Sequence, residues 1–253
     1  MSRLAAILYT VRDYVKTPAE LAQSLKKIKA IGYDVIELAG QGPIDPNELK
    51  IMVDGEGLSI CSTHSSLDRL RNDIDAVIEE HHLWGCEHIA IGGLPKEDHN
   101  AEGYKRFASE GSEIGRRLKE QGLTFSYHNH WMELETYDSK TGLDIMFEES
   151  DPEVFFFEID TCWLQFAGGD PPAWIRKMKG RQHLVHFKDM ILPSTDKNGT
   201  LEVGEGSLDF PSIIQACKET DVQWQIVEQD FCSGDPFDCI AKSYRNLKAM
   251  GVG

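Results

Sequence analysis

Short apolar runs alternate with longer amphipathic stretches along this whole 253-residue chain, and the unit recurs about every thirty residues. A run that is apolar throughout suits a strand covered on both faces, and an amphipathic stretch suits a helix laid on the sheet. Strand-like runs fall at 4–9, 34–38, 58–64, 88–91, 124–128, 154–159, 184–187 and 223–228. Helix-like stretches fall at 18–30, 46–56, 69–85, 102–121, 141–149, 171–178, 210–219 and 236–249. Eight successive βα units predict an α/β chain folded as a single-domain (β/α)8 TIM barrel over residues 1–253.

Local signals agree with this partition. Thr17-Pro18 and Asp170-Pro171-Pro172 place a capping side chain before proline at a first helical turn. Gly32, Gly57, Gly85 and Gly122 each stand between a helix-like stretch and the next strand, where a left-handed residue ends a helix. An open, doubly wound sheet is the competing arrangement. It lacks its usual phosphate-binding reason here, because neither GxGxxG nor GxxxxGK[ST] follows the first strand. No Pro/Gly/Ser-rich linker or shift of composition marks a second domain.

Composition excludes several functions. The formal charge of −16, from 42 acids against 26 bases, opposes attraction to nucleic acid or an anionic membrane, and no Lys/Arg cluster offsets it. No stretch of about eighteen apolar residues is present, and the first residues are too weakly apolar for a secretory signal, so a cytoplasmic protein is expected. The six cysteines show no CxxC pair, which argues against a zinc ribbon or a disulfide framework.

The strand ends carry the chemistry. In such barrels the C-terminal strand ends and the loops after them build the site. Those ends read Glu37, Thr63-His64, His128-Asn129-His130 with Glu133, Glu158 and Asp160, His186 with Lys188-Asp189, and Glu228 with Asp230. Carboxylates gathered this closely repel unless a cation compensates them. An oxygen-rich set with one imidazole suits one divalent metal ion, Mn²⁺ first, with Mg²⁺, Co²⁺ or Zn²⁺ as alternatives. Glu133, Asp160, His186 and Glu228 are the expected ligands. His128 is the alternative to Glu133, since it stands at the strand end proper.

The strings from Tyr127 to Glu133 (YHNHWME), Glu158 to Asp160 (EID), Val185 to Asp189 (VHFKD) and Val203 to Pro211 (VGEGSLDFP) resemble the sugar phosphate isomerase/epimerase family of xylose isomerase-like barrels. The resemblance runs over essentially the whole chain. It implies a divalent metal held by a Glu, Asp, His, Glu set, here Glu133, Asp160, His186 and Glu228, with two carboxylates often serving as acid and base. One departure is plain: related epimerases end strand five in glutamate, where this chain has His128-Asn129-His130. Apurinic endonucleases are similar barrels with three zinc ions, and several of their positions are unfilled here. The resemblance leaves a homo-oligomer open, since relatives commonly form dimers or tetramers.

The function expected is a metal-dependent isomerase or epimerase that moves an α-proton of a small-molecule carbohydrate substrate, a sugar, keto-sugar or sugar phosphate, through an enediolate. The alternative is a metal-dependent dehydratase or lyase acting on an inosose-like or keto-glycoside substrate. Glu133 and Glu228 are the expected acid/base pair, with His128 as substitute. His64, His130, Lys188 and Trp163 are expected to hold substrate. Lys188 could instead form a salt bridge to a ligand carboxylate, and Trp163, Trp131 and Phe166 could simply pack. The loop at 196–205, with Gly199, Gly204 and the neighbouring Gly206, is polar and glycine-rich enough for a lid, an oligomer contact or a plain connection.

Overall fold

The structure, a computed structural model, describes residues 3–191 and 199–253. Eight parallel strands close into one barrel, each hydrogen-bonded to its neighbours in chain order, with the first paired to the last. They are β1 (Arg3–Ile7), β2 (Val35–Leu38), β3 (Ser59–His64), β4 (His88–Ile91), β5 (Thr124–His128), β6 (Phe155–Asp160), β7 (Gln182–Phe187) and β8 (Trp224–Val227). The helices around them are α1 (Pro18–Ile31), α2 (Pro46–Gly55), α3 (Leu67–Asn72), α4 (Ile74–Trp84), α5 (Ala101–Lys119), α6 (Gly142–Glu149), α7 (Thr161–Phe166), α8 (Pro171–Lys177), α9 (Phe210–Glu219) and α10 (Pro236–Ala249). The single-domain barrel read from the sequence is the architecture observed.

Sequence and structure part at three places. β1 stops at Ile7 because Leu8–Tyr14 tightens into a 3-10 helix. The stretch expected as one helix over 69–85 is two, since Asp73 leaves helical geometry (φ −145°, ψ 35°). α7 lacks the length to show periodicity, and it exists because Asp160 caps it. At 196–205, positions 196–198 of the candidate lid lie outside the described residues.

Strand alternation creates two cores. On β6, Phe155, Phe157 and Ile159 belong to the main core, while Glu158 and Asp160 take the alternate positions that face the barrel axis. Ala5, Ile7, Val35, Ala39, Cys61, Leu184 and Ile226 form a separate apolar cluster, with Trp224 against it, that fills the barrel interior. The polar residues of the same inward rows therefore stack above an apolar plug, at the C-terminal mouth.

α5 shows what close packing demands. Glycine costs a helix interior about 1 kcal/mol relative to alanine, yet Gly111 and Gly115 both face the barrel. A Cβ on Gly111 would come within 2.5 Å of the Phe155 ring, and one on Gly115 within 2.2 Å of the Val154 carbonyl oxygen. Phe155 is fully buried and meets Phe107, Phe125 and Phe157 in edge-on and tilted contacts, an arrangement that needs the helix this near. Gly115→Ala should thus destabilise by about 1–3 kcal/mol despite its better helix propensity, read as a lower urea midpoint.

His81 ties α4 to the barrel. Its Nδ1 lies 2.6 Å from the Val77 carbonyl and its Nε2 2.8 Å from the Thr63 hydroxyl. Burial lowers its pKa from 6.5 to about 4. The unfolded chain therefore takes up this proton first, and stability falls as pH drops from 6.5 towards 4. Between pH 7.5 and pH 5 the stability advantage of the native protein over His81→Gln should shrink by roughly 2 kcal/mol, measured by urea titration at the two pH values.

Candidate metal centre at the barrel mouth

Cross-strand register sets the site in rows. His128 on β5 lies opposite Glu158 on β6, and Asp160 on β6 lies opposite His186 on β7. Two residues along a strand advance about 6–7 Å, so Glu158 sits one row deeper than Asp160. Glu37, Glu158, Asp160 and His186 are wholly buried, and His128 and Glu228 nearly so. Two overlapping groups have ligand atoms within 4.8 Å of one another: His64, His128, Glu158 and His186, and His128, Asp160, His186 and Glu228. Donors held about 2.1 Å from one ion stand at roughly this spacing, so either group fits a divalent cation.

In the deeper row, His64 Nε2 is 2.8 Å from Glu158 Oε2 and 3.7 Å from Glu37 Oε1. His186 Nε2 is 2.8 Å from Glu37 Oε2 and 3.4 Å from Glu158 Oε1. Burial alone would raise the Glu158 pKa, but His186 and then His64 hold it well below the carboxylate range. Burial opposes the charged form of His186 too, and Glu158 and Glu37 outweigh it, so this imidazole is pushed well above its usual value. His128 goes the other way, kept neutral by burial and by the neighbouring His186.

Above this row stands Lys188, fully buried. Its Nζ is 2.9 Å from Asp160 Oδ2, 2.9 Å from Glu228 Oε2 and 2.8 Å from Asp230 Oδ2. The three contacts are ion pairs. Those carboxylates overcome the cost of burial and raise the lysine pKa. Burial moves Asp160 up to about 6 against the pull of Lys188. The salt-bridge alternative for Lys188 is thus the arrangement present.

The expected site residues divide. His64, His128, Asp160, His186, Lys188 and Glu228 converge on one mouth. Glu133 does not join them: its Oε1 accepts from the Tyr127 hydroxyl at 2.6 Å and its Oε2 from the His130 backbone N–H at 2.8 Å. Both oxygens hold the β5 loop, and the strand-five residue present in both groups of clustered ligand atoms is His128. His130 stands beside it, 5.0 Å from His128 and 5.9 Å from Trp163 between ring centroids. His130 Nδ1 and Trp163 Nε1 are buried without a hydrogen-bond partner among the described residues. Trp131 and Phe166 pack against one another, at 6.3 Å. Glu37 and Glu158 carry no assigned role in the sequence reading. The signal that exposes them is parity, since Glu158 is inward wherever Asp160 is.

Asp189 serves the scaffold. Its Oδ2 accepts from the N–H groups of Gly204 and Gly206, and its Oδ1 from those of Met190 and Leu208. A Cβ on Gly206 would fall 2.2 Å from that carboxylate, which accounts for the glycine in the VGEGSLDFP string. At the opposite barrel end a cavity of about 720 Å³ opens among Ser59, Cys61, His88, Lys218 and Trp224. There the strands begin, away from the clustered ligands.

The chain matches the family model described as xylose isomerase-like TIM barrel over residues 25–249. It is 26% identical to the inosose dehydratase of Lacticaseibacillus casei across 97% of this chain and 95% of that one. A sugar phosphate isomerase/epimerase from Parabacteroides distasonis superposes with a TM-score of 0.81 at 20% identity, over 98% of this chain and 94% of that chain. An L-ribulose 3-epimerase superposes with a TM-score of 0.76 at 17% identity, over 99% and 94%. At these identities the two solved structures speak for the fold alone. Among the described residues no helix is long and apolar enough to cross a membrane.

Asp189→Ala strands four backbone N–H groups at once. A loss of about 2–4 kcal/mol in unfolding free energy is expected, with faster proteolysis between Met190 and Leu208 as the local readout.

Proposed function

The chain belongs to the xylose isomerase-like TIM barrel family, and we propose that within it this protein is a divalent-metal-dependent lyase. It would remove an α-proton and a β-hydroxyl from a polyhydroxylated ketone of inosose or keto-sugar type. The observation that carries this reading is the Lys188 ammonium set among Asp160, Glu228 and Asp230 directly above an imidazole and carboxylate cluster. The inosose dehydratase named above, which the chain matches nearly end to end, supports the same branch. The isomerase or epimerase expected from the sequence shares the first step, α-proton removal, and differs in where the next proton goes.

Residues of the cluster fit a metal. Buried nitrogens and oxygens of His128, Glu158, Asp160 and His186 have no hydrogen-bond partner among the described residues, a condition native proteins rarely tolerate. The donors are nitrogen and oxygen without sulfur, which suits Mn²⁺, Co²⁺ or Zn²⁺. His128 and His186 belong to both groups and would hold the ion in either. Such an ion supplies Lewis-acid stabilisation of negative charge that develops on the substrate carbonyl.

The chain's own groups move the protons. His130 takes the base role, being neutral because burial lowers its pKa to about 4, with Nδ1 unbonded among the described residues. Glu133 fixes that residue through its backbone N–H. Asp160, at about 6, is matched to carry a proton near neutrality and give it to the departing hydroxyl. The α C–H and β C–O bonds break, a C=C bond forms, and water leaves. Lys188 stays charged and keeps the carboxylates in place.

With Mn²⁺ and an inosose in D₂O, the product should have lost one water, followed by mass spectrometry and by the absorbance of the conjugated ketone. Lys188→Met should reduce kcat by at least about 100-fold while retaining the ion. Deuterium incorporation at the α-carbon without loss of water would replace the lyase by an epimerase.

A further inference from the structure

We propose that Cys232 and Cys239 form a modification site, where hydrogen peroxide converts two thiols into a disulfide that pins the loop after β8 to α10. This loop is the one that carries Asp230 into the mouth.

Hydrogen bonds bring the pair together. Cys239 stands one turn before Ser243 on α10, so the two side chains share a face of the helix. Ser243 Oγ accepts from the Val203 backbone N–H at 3.1 Å, and the Asn246 amide donates to the Val203 carbonyl at 2.8 Å. The same segment reaches the β8 loop. Its Thr200 hydroxyl donates to the Phe231 carbonyl at 3.0 Å and accepts from the Phe231 N–H at 3.3 Å. Glu202 is thereby held between the loop and the helix, and there the Cys239 thiol has two acceptors, the Cys232 sulfur and the Glu202 carboxylate.

The two thiols differ in a way that orders the reaction. Cys232 is half-buried and Cys239 buried, so an oxidant from solvent meets Cys232 first. Burial raises both thiols above their usual value, and at Cys232 the hydrogen bond from Cys239 offsets part of that rise. Cys232 is then the nucleophile, since the thiolate is the attacking form. Its sulfur takes one oxygen of the peroxide, the O–O bond breaks, and water leaves a sulfenic acid behind. The Cys239 sulfur attacks that sulfur while its proton passes to Glu202 and on to the departing hydroxide. An S–S bond forms, a second water leaves, and two electrons have moved from the thiols to the peroxide.

The local chain permits the step. A Cβ on Gly234, in the connecting loop, would meet nothing within 4 Å, so the loop has room to close the sulfurs to the about 2.0 Å of a disulfide. The other thiols are arranged differently. Cys61, Cys86, Cys162 and Cys217 are buried on β3, just ahead of β4, in α7 and in α9. Cys61 and Cys86 donate to the carbonyls of Ile36 and His88.

A few equivalents of hydrogen peroxide, added to the whole protein, should lower its intact mass by about 2 Da and remove two of its six thiols. Cleavage at aspartate should leave the Cys232 and Cys239 peptides joined, and dithiothreitol should separate them. Amide hydrogen exchange from Phe231 to Asp235 should slow by at least about 5-fold in the disulfide form. Cys239→Ser should instead gain about 16 Da at Cys232, a sulfenic acid that dimedone traps. Oxygen added to Cys232 of the native protein without loss of mass, a disulfide between another pair, or no reaction would overturn the proposal. Unchanged exchange in the disulfide form would overturn the pinning of the loop.

Discussion

Buried negative charge is the constraint that the rest of this mouth answers. Glu37, Glu158 and Asp160 are wholly buried, Glu228 is nearly so, and Asp230 adjoins them. Removing an ionised carboxylate from water is costly unless partners compensate it. Compensation comes from within the same rows: His64 and His186 below, Lys188 above. Each lies on an inward position of its strand, so the strand register decides which charges meet. The lysine can be buried because three carboxylates surround it, and those carboxylates can be buried because it is there.

Carboxylates elsewhere in the fold do a different task with the same chemistry. Glu133 holds the β5 loop through a tyrosine hydroxyl and a backbone N–H. Asp189 gathers four backbone N–H groups of the segment after β7. Asp160 divides its work, with one oxygen capping α7 and the other turned to the ammonium. Glu133 thus ties its two oxygens to β5 and its loop, whereas the His128 ring stands among the clustered ligand atoms.

That distinction marks how far the sequence can be read. The barrel was legible because its period is long and its punctuation explicit: β4 and β5 have the bounds their apolar runs predict, and Thr17 caps α1 as its place before Pro18 suggests. α7 was not legible, since six residues hold less than two helical turns and its start depends on a side chain at a strand end. Convergence of the mouth residues followed from the rule that strand ends build the site. Depth did not follow, because it depends on register shifts at Ile36/Glu37 and Phe157/Glu158 that leave no mark in composition. Glu133 had the right residue type and order, but it follows His130 after two further residues, Trp131 and Met132, and the path of that segment is a tertiary fact.

The proposed proton chemistry draws on the same stacked rows. A group that exchanges a proton during turnover should titrate near the working pH. Lys188 does not: the carboxylates around it hold its pKa well above 10.5, and it therefore acts as a fixed positive charge. Asp160, moved to about 6 by burial in spite of that charge, is suited to exchange. His130, lowered to about 4 by burial, is unprotonated throughout the neutral range. In the proposed lyase the fixed Lys188 cation lies 2.9 Å from Asp160 Oδ2 and holds in place the carboxylate that would protonate the departing hydroxyl.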